Sequence, residues 1–183
     1  MEHIANLLFE VRLLKDIVRS GYAFLGSGKE TIAEHSFMTA IICFAMAKLN
    51  PDVDSEKLVA MALVHDIAEA RTGDLNYVER KYCKTDEKKA ISHLVRHVPF
   101  GDDIRSLVDE FNLGESKEAK LANDADQISF ILELKKLMDT GLKGPEKWLP
   151  IIFKRLLTQT GQKIADAILN TGWDEWWMND YSE

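Results

Sequence analysis

One histidine and three carboxylates lie close together in the string VHDIAEARTGD, and their types are those that bind metal ions or transfer protons. His65 and Asp66 are adjacent, Glu69 follows His65 by four positions, and Asp74 comes directly after a glycine. Six mostly apolar residues precede the pair, which predicts an interior helix face. Burying a carboxylate costs free energy unless a cationic side chain or a metal ion pairs with it. This string therefore predicts a site that holds positive charge.

Two further candidates lie far away in the sequence. His35 sits in TIAEHSFM, in the first turn of the most apolar predicted helix, and Asp126 sits in ANDADQISF, where Ala125, Ile128 and Ile131 indicate a core-facing stretch. Two imidazoles and two carboxylates suit a divalent ion such as manganese, iron, cobalt, nickel or zinc. Open positions on such an ion would hold water and a substrate.

Each of these residues has a structural alternative when it is taken alone. A single histidine on an apolar helix more often makes a core hydrogen bond than binds a metal. Asp126 could pair with Lys120 or Lys135. Asp74 could be a turn residue, and Glu69 could be a solvated helix carboxylate. What favours chemistry is the whole set in chain order: His35, His65, Asp66, Glu69, Asp74 and Asp126.

Helices must position these residues, because apolar residues recur at helical spacing almost throughout the chain. Thr31 with Glu34 predicts a capping box at the start of the most apolar helix. Ser55 is the predicted cap of a helix that runs through SEKLVAMALVHDIAEA, and Ser116 begins a long helix that Gly141 ends. No alternating strand pattern, repeat or dividing linker occurs, so the sequence predicts an all-α single domain over residues 1–183.

The composition excludes several classes of function. The 183 residues carry a net charge of -7, which disfavours binding to a nucleic acid polymer through its phosphates. Two cysteines, Cys43 and Cys83, make no disulfide framework. The N-terminal segment is amphipathic, unlike a signal peptide, and no stretch approaches 18 uncharged apolar residues. We therefore expect a cytoplasmic protein without a membrane partner.

The order His, His-Asp, Asp on a helical scaffold resembles the signature of the HD-domain metal-dependent phosphohydrolases. Three strings, ETIAEHS, HDIAEARTGD and NDADQI, are similar to the 5'-deoxynucleotidase branch, which removes phosphate from nucleoside 5'-monophosphates and prefers deoxyribonucleotides. The resemblance covers roughly residues 5–140. It implies a single HD-domain helical bundle, with the C-terminal helices of 145–183 packed on this core or at the interface of a homodimer.

The resemblance also implies a role for each site residue. The metal ligands would be His35, His65, Asp66 and Asp126, holding a divalent manganese, cobalt, iron, nickel, zinc or magnesium ion. Glu69 and Asp74 would be the catalytic pair. Arg19 matches the arginine with which the family contacts phosphate, and Tyr22 stands where the family has a tryptophan against the deoxyribose.

Two alternatives remain open at the level of the sequence. One is an HD-domain hydrolase of another phosphorylated nucleotide, such as a cyclic nucleotide, a triphosphate or an alarmone. The other is a non-catalytic metal-binding dimeric scaffold, which would not need both Glu69 and Asp74. The tryptophans of the C-terminal part favour a core or subunit interface over stacking on a base: Trp148, Trp173, Trp176 and Trp177.

Overall fold

The computed structural model describes residues 1–182, and its regular structure is helical. In chain order the α-helices are α1 (Glu2–Val11), α2 (Ile32–Leu49), α3 (Ser55–Val64), α4 (Glu69–Thr72), α5 (Glu87–Leu94), α6 (Gly101–Leu113), α7 (Lys117–Asp139), α8 (Pro145–Phe153), α9 (Gln159–Leu169) and α10 (Glu175–Met178). Residues 1–182 contain no β-strand, only an isolated bridge between Val18 and Thr31. The all-α prediction is confirmed; Glu183, at the end of the predicted domain, lies outside the described residues.

The centre of the molecule is built from α2, α3 and α7, which pack against one another, and α7 also carries α8 and α9. The predicted capping box begins α2: Thr31 Oγ1 accepts from the Glu34 amide, and Glu34 accepts from the Thr31 amide at 2.7 Å. Ser116 caps α7 as predicted. The cap of α3 is Asp54, one residue before the predicted Ser55. These caps fix where each central helix starts.

The helix predicted through residues 55–70 ends earlier, because α3 stops at Val64. After it, the amides of Ile67, Glu69 and Ala70 donate to carbonyls three residues back, at 3.0 to 3.3 Å. Such tight turns place side chains three positions apart on one side. Asp66 and Glu69 consequently border the same cavity.

Apolar residues recur at helical spacing from Ile4 to Val18, but the first helix covers only the beginning of this pattern. It ends at Val11, and a tight helical turn over 12–15 follows. The chain then runs beside the start of α2: the Arg19 amide donates to the Glu30 carbonyl at 2.9 Å, and the Ile32 amide donates to the Ile17 carbonyl at 3.0 Å. This short pairing holds Arg19 next to the helix that carries His35.

Asp124 joins α7 to the start of α9 from a fully buried position. Its carboxylate accepts from the Leu157 amide at 2.6 Å, from the Thr158 amide at 2.8 Å and from the Thr158 hydroxyl at 2.6 Å. A Cβ at Gly161 would lie 2.2 Å from this carboxylate. The close approach explains why a glycine stands in the first turn of α9, two residues after the helix begins.

By length and composition, α2 is the one helix of residues 1–182 that could cross a membrane, since its 18 residues have a mean hydropathy of 1.4. Half of it is buried against the rest of the molecule, mainly against α3 and α7. The central helix of a folded domain has the same properties, so this observation adds only weak evidence for a span.

Candidate active site

Three helices bring the predicted metal ligands together. His35 lies in the first turn of α2, His65 directly follows α3, and Asp126 lies near the middle of α7. Each of these three offers one ligand atom, and the atoms lie within 4.8 Å of one another. Asp66 Oδ2 completes the group, at 3.2 Å from His65 Nε2 and 3.8 Å from His35 Nε2. Residues that are ninety positions apart in sequence therefore form one cluster.

The histidine rings present unpartnered nitrogens to these carboxylates. His65 Nδ1 lies 2.8 Å from the Ala62 carbonyl, which places a proton on Nδ1 and leaves Nε2 to face the cluster. His65 Nε2 and both ring nitrogens of His35 are buried without a hydrogen-bond partner. His35 Nε2 is 2.9 Å from Asp126 Oδ1, but the N–H direction does not meet that oxygen. Two imidazole nitrogens beside two carboxylate oxygens fit a divalent first-row cation once the histidines are neutral.

The pKa values of the residues in the cluster also indicate that the cluster attracts a cation. Burial lowers the pKa of His65, but the Asp66 carboxylate raises it more, to about 9. Burial alone would raise the pKa of Asp126, yet the neighbouring His35 and Arg19 hold it well below its usual range. Burial would likewise raise the pKa of Asp66, but His65 lowers it below its usual range. Both carboxylates of the cluster thus stay ionised at neutral pH and attract a cation.

Glu69 borders the cluster from one side. It lines a cavity of about 200 Å³ together with His65, Asp66 and Asp126, and its Oε2 is buried without a hydrogen-bond partner. Burial, followed by the charges of Asp66 and Asp74, raises the pKa of Glu69 to about 9. A carboxylate with this environment holds a proton until positive charge enters the cluster.

Asp74 borders a second cavity, of about 270 Å³, which Arg19 and Asp126 also line. Its Oδ2 accepts from the Ser20 amide at 2.7 Å and from the Ser20 hydroxyl at 3.1 Å. Because Asp126 lines both cavities, Glu69 and Asp74 flank the histidine-aspartate cluster from two sides.

Arg19 is a partly buried cation of this region. Its Nη1 is buried without a hydrogen-bond partner, and its Nε lies 3.8 Å from Glu30 Oε2. Burial lowers the pKa of Arg19, but Asp126 and Asp66 more than compensate, so the guanidinium stays charged. A charged planar donor with a free N–H group facing a polar cavity is suited to an oxyanion.

Tyr22 lies in the wall of the second cavity, but its hydroxyl points to Glu30, at 3.4 Å. The residue is 5% exposed, and its ring packs edge-on to Phe130. Gly28, with a positive φ of 86°, passes so close that a Cβ there would lie 2.8 Å from the ring. The structure thus brings Tyr22 to the site region with its hydroxyl already engaged.

Sequence reasoning missed several residues around the site. Ser20, which holds Asp74, directly follows Arg19 but belongs to no motif. Glu30 opens the ETIAEHS string, and no pattern distinguishes it from a solvated glutamate. Phe130 and Trp148 form an edge-on pair, with ring centres 5.9 Å apart, in the wall of the second cavity. The sequence pattern favoured a core or interface role for this tryptophan.

Comparison with known proteins gives consistent results. A sequence model described as "HD domain" matches residues 11–168. The "5'-deoxynucleotidase HDDC2" of Bos taurus is 29% identical over 143 residues, covering 73% of this chain and 69% of the relative. A 5'-deoxynucleotidase of Enterobacter sp. (strain 638) is 31% identical over 127 residues, covering 61% and 63%. The PH0347 protein of Pyrococcus horikoshii OT3 superposes with a TM-score of 0.73 at 29% identity, over 90% of this chain and 97% of that one.

Proposed function

The chain belongs to the HD-domain family, and we propose that it is a metal-dependent phosphomonoesterase acting on nucleoside 5'-monophosphates. The preferred substrates are 2'-deoxyribonucleotides, and the products are the nucleoside and inorganic phosphate. The observation that carries this proposal is the convergence of two unpartnered imidazole nitrogens and two carboxylates between α2, α3 and α7. Relatives that match over most of the chain bear the name 5'-deoxynucleotidase, which supports the substrate class.

We propose His35, His65, Asp66 and Asp126 as the ligands of the divalent cation. His65 would bind through Nε2, because its Nδ1 is committed to the Ala62 carbonyl. The bound cation would neutralise phosphoryl oxygens and acidify a water molecule. His35 and His65 act as neutral donors in this state, so the proton that Asp66 holds on His65 must leave when the cation enters.

The remaining chemistry belongs to Glu69, Asp74 and Arg19. Glu69 accepts a proton from the attacking water, whose oxygen forms the new bond to phosphorus. The bond between phosphorus and the 5'-oxygen breaks, and Asp74 donates a proton to that oxygen or anchors the sugar beside it. Arg19 binds the phosphoryl oxygens that face away from the cluster. Ser20 keeps Asp74 in place through its two hydrogen bonds.

The nucleoside would occupy the second cavity. Its volume of about 270 Å³ lies beside Asp74 and is bounded by the aromatic pair of Phe130 and Trp148. Aromatic walls bind the flat face of a base without reading its edge. Tyr22 contributes to this wall through its ring, because Glu30 holds its hydroxyl. We propose that Tyr22 limits the space near the sugar and so contributes to the selection of deoxyribose.

The proposed working form is a cytoplasmic homodimer. Both cysteines of the chain are free thiols in the structure, which suits a reducing compartment. A substantial apolar surface remains on the monomer, including Phe37, Phe44 and Trp176, and such patches mark contact sites.

A substrate screen with metal analysis tests the function. We expect the purified protein to release phosphate from deoxyribonucleoside 5'-monophosphates faster than from ribonucleotides, when manganese, cobalt or magnesium is supplied in turn. Glu69→Ala should abolish turnover and retain bound metal, whereas His65→Ala should lose the metal. Glu56→Ala, on the exposed side of α3, is the matched control and should behave like the wild type. Phosphate release by Glu69→Ala at the wild-type rate would refute the role of Glu69, and the absence of both metal and turnover in the wild type would favour a scaffold.

A further inference from the structure

The outer side of α2 carries a regular line of exposed residues that no other segment of residues 1–182 covers. We call this line the α2 seam: Glu34, Phe37, Ile41, Phe44 and Lys48. The three apolar members are 60%, 49% and 53% exposed, in chain order. The five residues of the seam are spaced by three, four, three and four positions. This is the spacing of contact residues on helices that pack side by side. The opposite side of the same helix is buried and contains His35.

A helix that is apolar all round is normally buried all round. In the part of the chain that the structure describes, α2 is buried on the side that faces α3 and α7. Its outer side is as apolar as a protein interior but has no covering element there. Apolar residues scattered singly over a surface do not form such a line. The seam extends over four helical turns and ends in Glu34 on one side and Lys48 on the other.

We propose that a second copy of this chain covers the α2 seam, with the two α2 helices antiparallel about a two-fold axis at Ile41. In this arrangement Ile41 contacts its own counterpart, and Phe37 of each protomer contacts Phe44 of the other. Glu34 and Lys48 both lie seven residues from Ile41, which is about 10.5 Å along the helix. Each glutamate of one protomer therefore meets a lysine of the other.

The two charged ends of the α2 seam are already oriented for this pairing. Glu34 is held by the capping box, in which one carboxylate oxygen accepts from Thr31; its other oxygen has no bond in that box. The Lys48 ammonium lies 5.0 Å over the centre of the Phe44 ring. A parallel arrangement would place like charges opposite each other at both ends, so the charge pattern selects the antiparallel one.

The crossing angle follows from the spacing. Helices that pack with a repeat of three and four residues cross at about 20°. At about 10.5 Å from the axis, this angle separates the two helices sideways by roughly 4 Å more than at the centre. Long side chains such as glutamate and lysine span that distance, so both pairs form at once.

Additional contact area is available beside the seam. The exposed parts of its three apolar side chains amount to roughly 300 Å², whereas a standard interface buries about 800 Å² on each partner. An apolar groove of about 520 Å³ begins at Met38, next to Phe37, and is lined further along by Ile164, Ile168 and Trp176. The partner would contact this groove on both protomers, which adds apolar area to the interface.

This proposal names the surface of the homodimer and is independent of the hydrolytic chemistry. The metal site lies on the buried side of α2, so a dimer can fail to form while hydrolysis persists, and a dimer can form without hydrolysis. Light scattering after gel filtration should give twice the chain mass of 20.8 kDa. Ile41→Asp should give the monomer, with unchanged metal content. Leu8→Asp, at an equally apolar and 64% exposed position on α1, is the matched control and should stay dimeric.

Disulfide cross-linking tests the direction of the helices. With Cys83 replaced by serine, Ile41→Cys should form an intermolecular disulfide. Helix axes about 8–10 Å apart leave about 3.4–5.4 Å between the two on-axis Cα atoms, which overlaps the range of disulfides, roughly 4.4–6.8 Å. Phe37→Cys should not cross-link to itself, because its two copies are offset by about 12 Å along the helices. A mixture of the Phe37→Cys and Phe44→Cys proteins should cross-link.

Several results would overturn the proposal. A monomeric wild type, or an Ile41→Asp protein that stays dimeric, would show that the α2 seam is not the interface. Efficient self-cross-linking of Phe37→Cys would show parallel helices. Flotation of the wild type with phospholipid vesicles, abolished by Ile41→Asp, would show that a membrane surface covers the seam in place of a second copy.

Discussion

Glu30 offers the sharpest test of how the site is held together, because one buried carboxylate contacts three of its members. It is 5% exposed, and its Oε2 lies 3.8 Å from Arg19 Nε, 4.0 Å from His35 Nδ1 and 3.4 Å from the Tyr22 hydroxyl. Glu30→Gln keeps the size of the side chain and removes its charge. We predict that this change weakens metal binding, although Glu30 is not a proposed ligand.

The size of the effect follows from these distances. Two full charges about 4 Å apart interact by about 4 kcal/mol at an effective dielectric constant near 20, which is an upper limit for this contact because the His35 imidazole is neutral. Carboxylates behind metal-binding histidines typically contribute about 10–100-fold in metal affinity, which is roughly 1.4–2.7 kcal/mol. Burial raises the pKa of Glu30 to about 7. The loss in Glu30→Gln should therefore be large at pH 8, where the wild-type residue is ionised, and small at pH 6, where it is protonated and as neutral as glutamine.

Competition with a chelator measures this affinity without substrate, so the result does not depend on turnover. Tyr22→Phe is the control, because it removes one hydrogen bond to Glu30 but leaves the Glu30 carboxylate in place. This variant should bind metal nearly as tightly as the wild type does. Equal affinity of Glu30→Gln and the wild type at pH 8 would refute the reasoning. A loss of the same size at pH 6 and pH 8 would assign the effect to packing and not to charge.

Three other changes test separate parts of the structure. Arg19→Lys should raise KM for the monophosphate by about tenfold or more, because one ammonium replaces a planar donor, with metal content unchanged by elemental analysis. Asp124→Ala should lower the free energy of unfolding in urea by about 3 kcal/mol, since the amides of Leu157 and Thr158 and the Thr158 hydroxyl lose their shared acceptor. Burial raises the pKa of the Cys43 thiol to about 12, so at pH 8 a thiol reagent should modify only the exposed Cys83 in folded protein and both cysteines in urea.

The helical architecture and the ligand cluster could be predicted because both leave local signals. A helix is recognised from apolar residues that recur every 3.6 positions. Its start is recognised from a capping residue such as Thr31 or Ser116 in the local sequence. His65 and Asp66 stand out because polar residues are rare inside an apolar run. Their meeting with His35 and Asp126 was an expectation from family resemblance, and the structure brings the four within reach of one another.

The features that the sequence did not reveal depend on contacts between distant segments. The early end of α3 at Val64 replaces a predicted helical continuation with tight turns, although no glycine or proline marks the position. Glu30 resembles any other glutamate until its burial between Arg19 and His35 is seen. Tyr22 was predicted to contact the sugar, and only the fold shows that its hydroxyl is already bonded to Glu30.

The charges around the cluster explain why anion binding should depend on the cation. Asp66 and Asp126 contribute negative charge to the same space, and the positive charges of Arg19 and of protonated His65 are already paired with these two carboxylates. A phosphate dianion entering this field without a further cation would be repelled by the carboxylates. Glu69, with its pKa near 9, would also still hold its proton and could not accept another from water. Positive charge in the cluster removes both obstacles together, so inorganic phosphate should bind the metal-loaded protein and not the metal-free one.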